Sequence, residues 1–282
     1  PAVAAIEAAG FDCLATSVSV LAPSLALSGQ HIPGHQDEAE RLLNRPWRLP
    51  ESRLSCFFRH DGLSDLIGFT YNRWHGDDAA AHFVNELAGI EQRTAGEPDR
   101  IVLVALDGEN AWEHYPHNGW YFLNALYRGL ADHPRLKLTT LSQFVDEQRV
   151  AGITPRVLPR LRAGSWVYGT LSTWMGDPDK NRGWDLLVEA KHAYDEVVAS
   201  GRLNREELAR ATLQLAACES SDWYWWFGDY NPAEALRDFD QLFRHQLTSL
   251  YQSLGLAPPA HLDKVISVGH GNPEAGGVMR RS

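Results

Sequence analysis

The chain lacks what would tie it to a disulfide framework, a bilayer or a polyanion. Cysteine occurs three times in 282 residues, at Cys13, Cys56 and Cys218, and forms no CxxC pair. That excludes a disulfide scaffold and a zinc ribbon, and makes a reducing cytosol the expected compartment. No apolar stretch reaches the roughly 18 residues needed to span a bilayer, so no membrane association is expected. Positive charge is scarce: Lys+Arg 26 against Asp+Glu 36, a formal net charge of -10. This balance argues against a nucleic-acid partner or an anionic membrane surface and is compatible with a neutral ligand. No signal peptide, repeat or low-complexity segment is evident. The first residue is Pro1 rather than Met, and an upstream portion, with any targeting signal it carries, is expected.

What is present describes an ordered globular protein. Hydrophobic residues make up 44% and charged residues 22%. The length allows one large domain or two. Ten Trp, nine Tyr and ten Phe are a heavy aromatic load, and many of the Trp sit beside acids and glycines. Such rings serve a core or the flat faces of sugar rings, and composition leaves both open.

Local patterns divide the chain. Residues 1–9 read as a short helix with Gly10 as its stop, and residues 11–20 as a strand. Residues 28–50 are polar, with three prolines and two glycines, and read as a surface excursion and candidate lid. Residues 54–58 read as a strand, 77–92 as a helix, 100–106 as a strand, 119–130 as a helix and 136–140 as a further strand. Strand alternating with helix is the signature of a parallel sheet or barrel. Beyond residue 150 no further strand of comparable strength appears, and helices are expected over 184–200, 205–219 and 232–254. The expected organisation is therefore α/β over residues 1–150 and helical over 151–282.

The most informative segment is the apolar run Val102-Leu103-Val104-Ala105-Leu106, which stops at Asp107-Gly108-Glu109 and is followed by Trp112, His114, Tyr115 and Trp120. If the backbone stays extended, Asp107 and Glu109 point the same way at the end of a buried strand, where α/β folds place catalytic groups. Carboxylates flanked by rings suit carbohydrate chemistry, with one proton to give and one charge to hold. The plainer alternative is an Asp-Gly turn with Glu109 capping the next helix. His114 and His117 with Asp107 are a conceivable metal set, but no third set has ligand spacing, and no metal or other cofactor is expected. In Gly164-Ser165-Trp166 and residues 174–184, Asp179, Lys180 and Asn181 are candidate hydroxyl partners and Trp166 and Trp174 candidate stacking platforms. An Asp177-Pro178 helix cap explains part of the same pattern. Residues 219–229 hold five aromatics, Trp223 among them, which either pack or meet a ligand. Arg59 and Asp65 read as a substrate-positioning pair or a structural salt bridge.

Together these clusters resemble family 57 glycoside hydrolases, nearest to the amylopullulanase-type members. The carriers are Leu106-Asp107-Gly108-Glu109-Asn110-Ala111-Trp112-Glu113, Phe58-Arg59 with Leu63-Ser64-Asp65-Leu66-Ile67-Gly68-Phe69, Gly164-Ser165-Trp166 with residues 174–181, and residues 221–228. The likeness runs over about residues 1–260. It implies an α/β fold, a partial (β/α)7-type barrel followed by a C-terminal helical bundle. It also implies retaining cleavage of α-glucans or maltooligosaccharides, with Asp107 as general acid/base. Substrate contacts are then expected from Glu109, Trp112, His114, Arg59, Asp65, Trp166, Trp174, Asp179 and Trp223, with no metal. The family nucleophile, a Glu in a Trp-Pro-x-Glu-Gly type segment, is expected just upstream of the stretch resembling residues 1–10. This sequence contains neither that segment nor the family's His-Gln-Pro type motif, so the chain alone is expected to be catalytically incomplete. Thr16-Ser17-Val18 stands where relatives tend to carry Thr-Asp-Glu. That departure motivates a second reading, a non-catalytic glucan-binding or regulatory protein. Asp107, His114 and His117 motivate a third, a metal-dependent deacetylase-like barrel.

Overall fold

The computed structural model describes residues 2–108 and 112–272. It divides into two compact units, the first ending at Gly169 and the second beginning at Thr170.

In the first unit, α1 (Ala2–Ala8) leads to β1 (Cys13–Ser17) and α2 (Val18–Ala26). Next come α3 (Gln36–Leu43), β2 (Trp47–Arg48), β3 (Ser55–Arg59) and the short α4 (Asp61–Asp65). Then follow α5 (Gly76–Arg93), α6 (Trp120–Ala131), α7 (Leu141–Val150) and β4 (Arg156–Val157). The sheet order is β1-β3-β2-β4. β1 and β3 run parallel with Ser17 opposite Arg59, and β2 runs antiparallel to β3. Four consecutive residues of β3 are buried, as expected of a strand covered on both faces.

Three expectations need correction. The strand expected over residues 11–20 ends at Ser17, and residues 18–20 open α2. Residues 100–106 and 136–140 form no ladder: a single parallel bridge, Leu103 to Arg59, joins the first segment to the sheet, and the second is irregular. Both line a cavity of about 700 Å³ through Val102, Val104, Leu136 and Leu138. β-branched composition does not make a strand when no neighbouring backbone is there to pair with. Residues 28–50 are a surface excursion only in their first part: residues 29–31 and 34–38 are exposed, but the chain turns inward from Glu40. They contain α3 and β2, and Trp47 and Leu49 are buried. Two of their charges, Glu40 and Arg45, look solvent-seeking in sequence but find partners inside. Arg45 binds Glu97 at 2.5 Å and Asp99 at 2.6 Å, while Glu40 takes Asn44 Nδ2 at 2.5 Å and Arg93 at 3.2 Å.

The first unit has two apolar clusters. One gathers Val20, Leu21, Leu25, Trp47 and Phe58 around β1 and β3. The other packs Ala79, Phe83 and Ile90 of α5 against Phe122, Leu126 and Leu130 of α6. Both helices are amphipathic with i, i+4 spacing of the buried residues.

The second unit is helical among its described residues: α8 (Pro178–Ala199), α9 (Arg205–Cys218), the short α10 (Asp222–Trp226) and α11 (Ala233–Ser253). Asp177 caps α8 by accepting from Asp179 N at 2.9 Å, with Pro178 at the first turn. Asn204 and Glu207 form a capping box on α9. The core runs through Leu186, Ala190, Leu215, Phe243 and Leu247, and Trp184 stacks on Tyr224 at 3.8 Å.

Candidate active site

The first unit builds a site at the carboxyl edge of its parallel strands. β1 ends at Ser17, β3 ends at Arg59 beside it, and Leu103 also pairs with Arg59. The segment through Leu103 then carries Asp107 outward as an exposed side chain. Ends of parallel strands are where loops are free to carry chemistry while the strands hold their origin fixed.

Arg59 organises this edge. Its Nε donates to Ala105 O at 2.8 Å, Nη1 to Asp61 at 2.8 Å and Nη2 to Asp65 at 2.7 Å. The turn after β3 grips the same segment twice more. His60 N donates to Leu103 O at 2.8 Å, and Ser64 Oγ accepts from Ala105 N at 3.3 Å. His60 in turn caps α4, its Nδ1 accepting from Leu63 N. Asp107 thus leaves the fold two residues beyond a backbone fixed at both polar atoms of Ala105. Burial works against the Arg59 charge, but its hydrogen bonds to the Asp65 and Asp61 carboxylates outweigh that and raise the guanidinium further. Burial holds the Asp61 carboxyl above its ordinary range despite Arg59.

Trp166 lies over this guanidinium, 6.0 Å from ring centroid to Arg59 Cζ. Its loop is seated by backbone contact. A side-chain carbon at Gly164 would overlap the Gly169 carbonyl, and one at Gly169 would overlap the Ser19 carbonyl. Ser17 is buried and its hydroxyl bonds that of Ser19. The Trp166 loop and the Ser17-Val18 departure therefore meet on one turn.

The other expected site residues are distributed differently. Glu109 lies outside the described residues, and with it the shared face expected for Asp107 and Glu109. Trp112 is half-buried and packs on Tyr115 at 5.5 Å and Phe122 at 6.5 Å, so it belongs to the α5–α6 core. Tyr115 anchors that loop by donating to Ile67 O at 2.5 Å. His114 is exposed beside Glu113 at 3.6 Å, and His117 faces the Tyr121 ring. Among the described residues no three His, Cys, Asp or Glu side chains converge as a metal set, so Asp107, His114 and His117 do not form one. Burial pushes the Cys56 and Cys218 thiols up to about 12, which leaves neither as a thiolate nucleophile.

In the second unit, Trp174 is half-buried, 5.8 Å from Trp225, and its carbonyl accepts from Trp184 Nε1 at 2.9 Å. Asp179 accepts from Ser267 Oγ at 2.6 Å. Two expectations are corrected here. Lys180 is fully buried, donates to Tyr224 O and lies 5.4 Å over the Tyr230 ring, so it is no surface contact for a hydroxyl. Trp223 is 7% exposed, packed on Phe239 and Phe243 with Nε1 bound to Ala217 O, and is a core residue. Asp61 and Ser64 also build the carboxyl edge, beyond the site residues expected from sequence. The Asp61-Gly62 pair just after the strand, which opens α4, is the sequence signal for them.

Compared with known proteins, residues 2–159 match the family model Glycosyl hydrolase family 57. A family 57 branching enzyme of the hyperthermophilic archaeon Thermococcus kodakaraensis, solved with glucose and additives, superposes with a TM-score of 0.59 at 15% identity, over 75% of this chain and 46% of that one. A family 57-type branching enzyme of the hyperthermophilic archaeon Pyrococcus horikoshii superposes with a TM-score of 0.58 at 16% identity, over 92% of this chain and 57% of that one. The chain thus spans about half the length of these solved structures. The likeness shows the fold, an α/β unit of partial (β/α)7-barrel type followed in sequence by a helical bundle.

Proposed function

The chain belongs to glycosyl hydrolase family 57, and from that premise we propose that it supplies the acid/base half of a retaining, α-glucan-active site, with Asp107 as the proton donor. The carrying observation is the placement of Asp107 at the carboxyl edge, two residues beyond Ala105, whose N–H and carbonyl are both fixed. In the retaining route one carboxylate attacks the anomeric carbon while the other protonates the departing glycosidic oxygen. The second then deprotonates the water or sugar hydroxyl that releases the intermediate. The two groups stand roughly 5–5.5 Å apart. Asp61 and Asp65, the other carboxylates described at this edge, are both engaged by Arg59. We assign the nucleophile to neither, and expect it in a segment corresponding to the half of the solved relatives that this chain does not span.

In this reading Trp166 offers a stacking face and Arg59 with Asp65 a rigid polar wall. Release by a sugar hydroxyl instead of water would make the same site a transferase. Both superposed structures being branching enzymes favours that outcome. The test is turnover of maltoheptaose and amylose by the intact gene product beside its Asp107→Asn form, with products resolved by chain length and linkage. The proposal expects a loss of at least ~10²-fold in rate. Undiminished turnover by Asp107→Asn overturns it, and binding of maltooligosaccharide without turnover by either protein favours the binding-protein reading.

A further inference from the structure

The exposed face of α6 carries aromatic rings that the fold does not use. Phe122, Leu126 and Leu130 of this helix are buried, while Trp120 is 64% and Tyr127 58% exposed. Trp120, Asn124 and Tyr127 follow at i, i+4 and i+7 and so share one helix face. At 1.5 Å rise per residue the two rings start about 10 Å apart along the axis. With His117, Leu123 and Arg128 they line an open concavity of about 530 Å³. The helix is the next one after the Asp107 loop, in the same unit.

We propose that this shelf is a second saccharide site that holds a strand of α-glucan outside the catalytic cleft. The choice of α-glucan rests on the function proposed above; the site itself rests on its chemistry. Flat rings take the C–H faces of pyranoses, and hydroxyls need donors and acceptors between the rings. Asn124 Nδ2 is tied to Trp120 O at 2.8 Å, which orients the amide and presents its oxygen as an acceptor. Trp120 Nε1, the Tyr127 hydroxyl and the Arg128 guanidinium add donors, and none of these three has a partner among the described residues. An apolar peptide laid on the shelf would bury these groups unpaired, at a cost in free energy. A polyhydroxylated, uncharged chain satisfies them. The shelf's single formal charge, Arg128, gives a polyanion little hold on a chain of net charge -10.

The test is retardation of the chain in native gels containing amylose, with maltoheptaose affinity measured by calorimetry. Trp120→Ala and Tyr127→Ala should each weaken binding about threefold to tenfold. The double variant should lose most of the retardation, whereas Phe11→Ala, which removes an exposed ring before β1, should keep it, and Trp120→Phe should recover most of what Trp120→Ala loses. The substituted rings are exposed, so far-UV circular dichroism should not change. Four results overturn the proposal: no retardation of the unmodified chain; retardation lost with Trp166→Ala but kept by the double variant; retardation by a β-linked glucan and not by amylose; or a change of sedimentation coefficient in the double variant. The second leaves the α-glucan reading of the cleft standing while removing the shelf. The third removes the α-glucan assignment. The fourth identifies the face as a contact between copies.

Discussion

Replacing Arg59 by Met keeps the stem and removes the guanidinium, and the structure allows the consequence to be sized. The Asp65 side chain is 51% exposed, so its pair contributes only ~0.2–1 kcal/mol. Asp61 is better shielded at 30% exposure, and its charge-assisted bond contributes about 1 kcal/mol. The Ala105 carbonyl is half-buried and loses its Nε donor, which costs about 1 kcal/mol more. The expected loss is therefore about 2–3 kcal/mol in urea unfolding of the first unit. Hydrogen exchange should show where it falls. The His60 and Ala105 amides, which bind Leu103 O and Ser64 Oγ, should exchange faster, whereas α11 amides should not change. Asp65→Asn is the internal control and should lose under ~1 kcal/mol. A loss below ~0.5 kcal/mol for Arg59→Met, or equal losses for the two variants, would refute the reasoning that the guanidinium holds the Asp107-bearing backbone.

Two further perturbations separate causes that otherwise travel together. Gly169 and Gly10 both have positive φ, but a side-chain carbon at Gly169 overlaps the Ser19 carbonyl while one at Gly10 meets nothing. Gly10→Ala should cost about 1–2 kcal/mol from backbone strain alone, and Gly169→Ala about 2–4 kcal/mol with altered Trp166 fluorescence; equal costs in thermal unfolding would contradict this. Acid stability should depend on Glu40 and Glu97. Burial would raise both carboxyls, but His60 and Arg93 hold Glu40, and Arg45 holds Glu97, below the ordinary value of 4.5. Their stabilisation is complete above that value and is lost as pH falls through the depressed folded values, with Asp61 acting in the opposite sense. The urea-midpoint difference between the parent chain and Glu40→Gln/Glu97→Gln should be full at about pH 7 and shrink progressively as pH falls below the ordinary carboxylate value; a pH-independent difference speaks against the assignment.

How much was legible in the sequence depends on how local each feature is. The helices α5, α8, α9 and α11 follow from their own periodicity and caps, and α8 extends back to the Asp177-Pro178 cap because that signal is local too. Residues 100–106 have strand composition, but a ladder needs a neighbour, and only Leu103 finds one. Glu40 and Arg45 share the surface reading of residues 28–50 because Arg93, Glu97 and Asp99, their partners, lie some fifty positions away. The clearest case is tryptophan. Trp223 and Trp166 both sit beside polar residues in sequence, yet one is 7% and the other 42% exposed: Phe239 and Phe243, distant in sequence, cover the first, while the second lies over the Arg59 guanidinium. For Arg59, both the salt-bridge and the positioning readings had a basis. Its three partners show that the pairing with Asp65 is one part of a larger clamp.

The most direct test of the central claim is azide rescue of the intact Asp107→Asn protein on an aryl α-maltooside. That leaving group needs no proton, so the glycosyl-enzyme still forms, but release by water stalls without a base. Azide needs no base; it bonds to the anomeric carbon from the face Asp107 occupied, and the enzyme carboxylate departs. Asp107 as acid/base predicts an azide-dependent rate and an α-configured glycosyl azide. A β-configured product would make Asp107 the nucleophile, and a variant as active as the parent without azide would remove it from the chemistry.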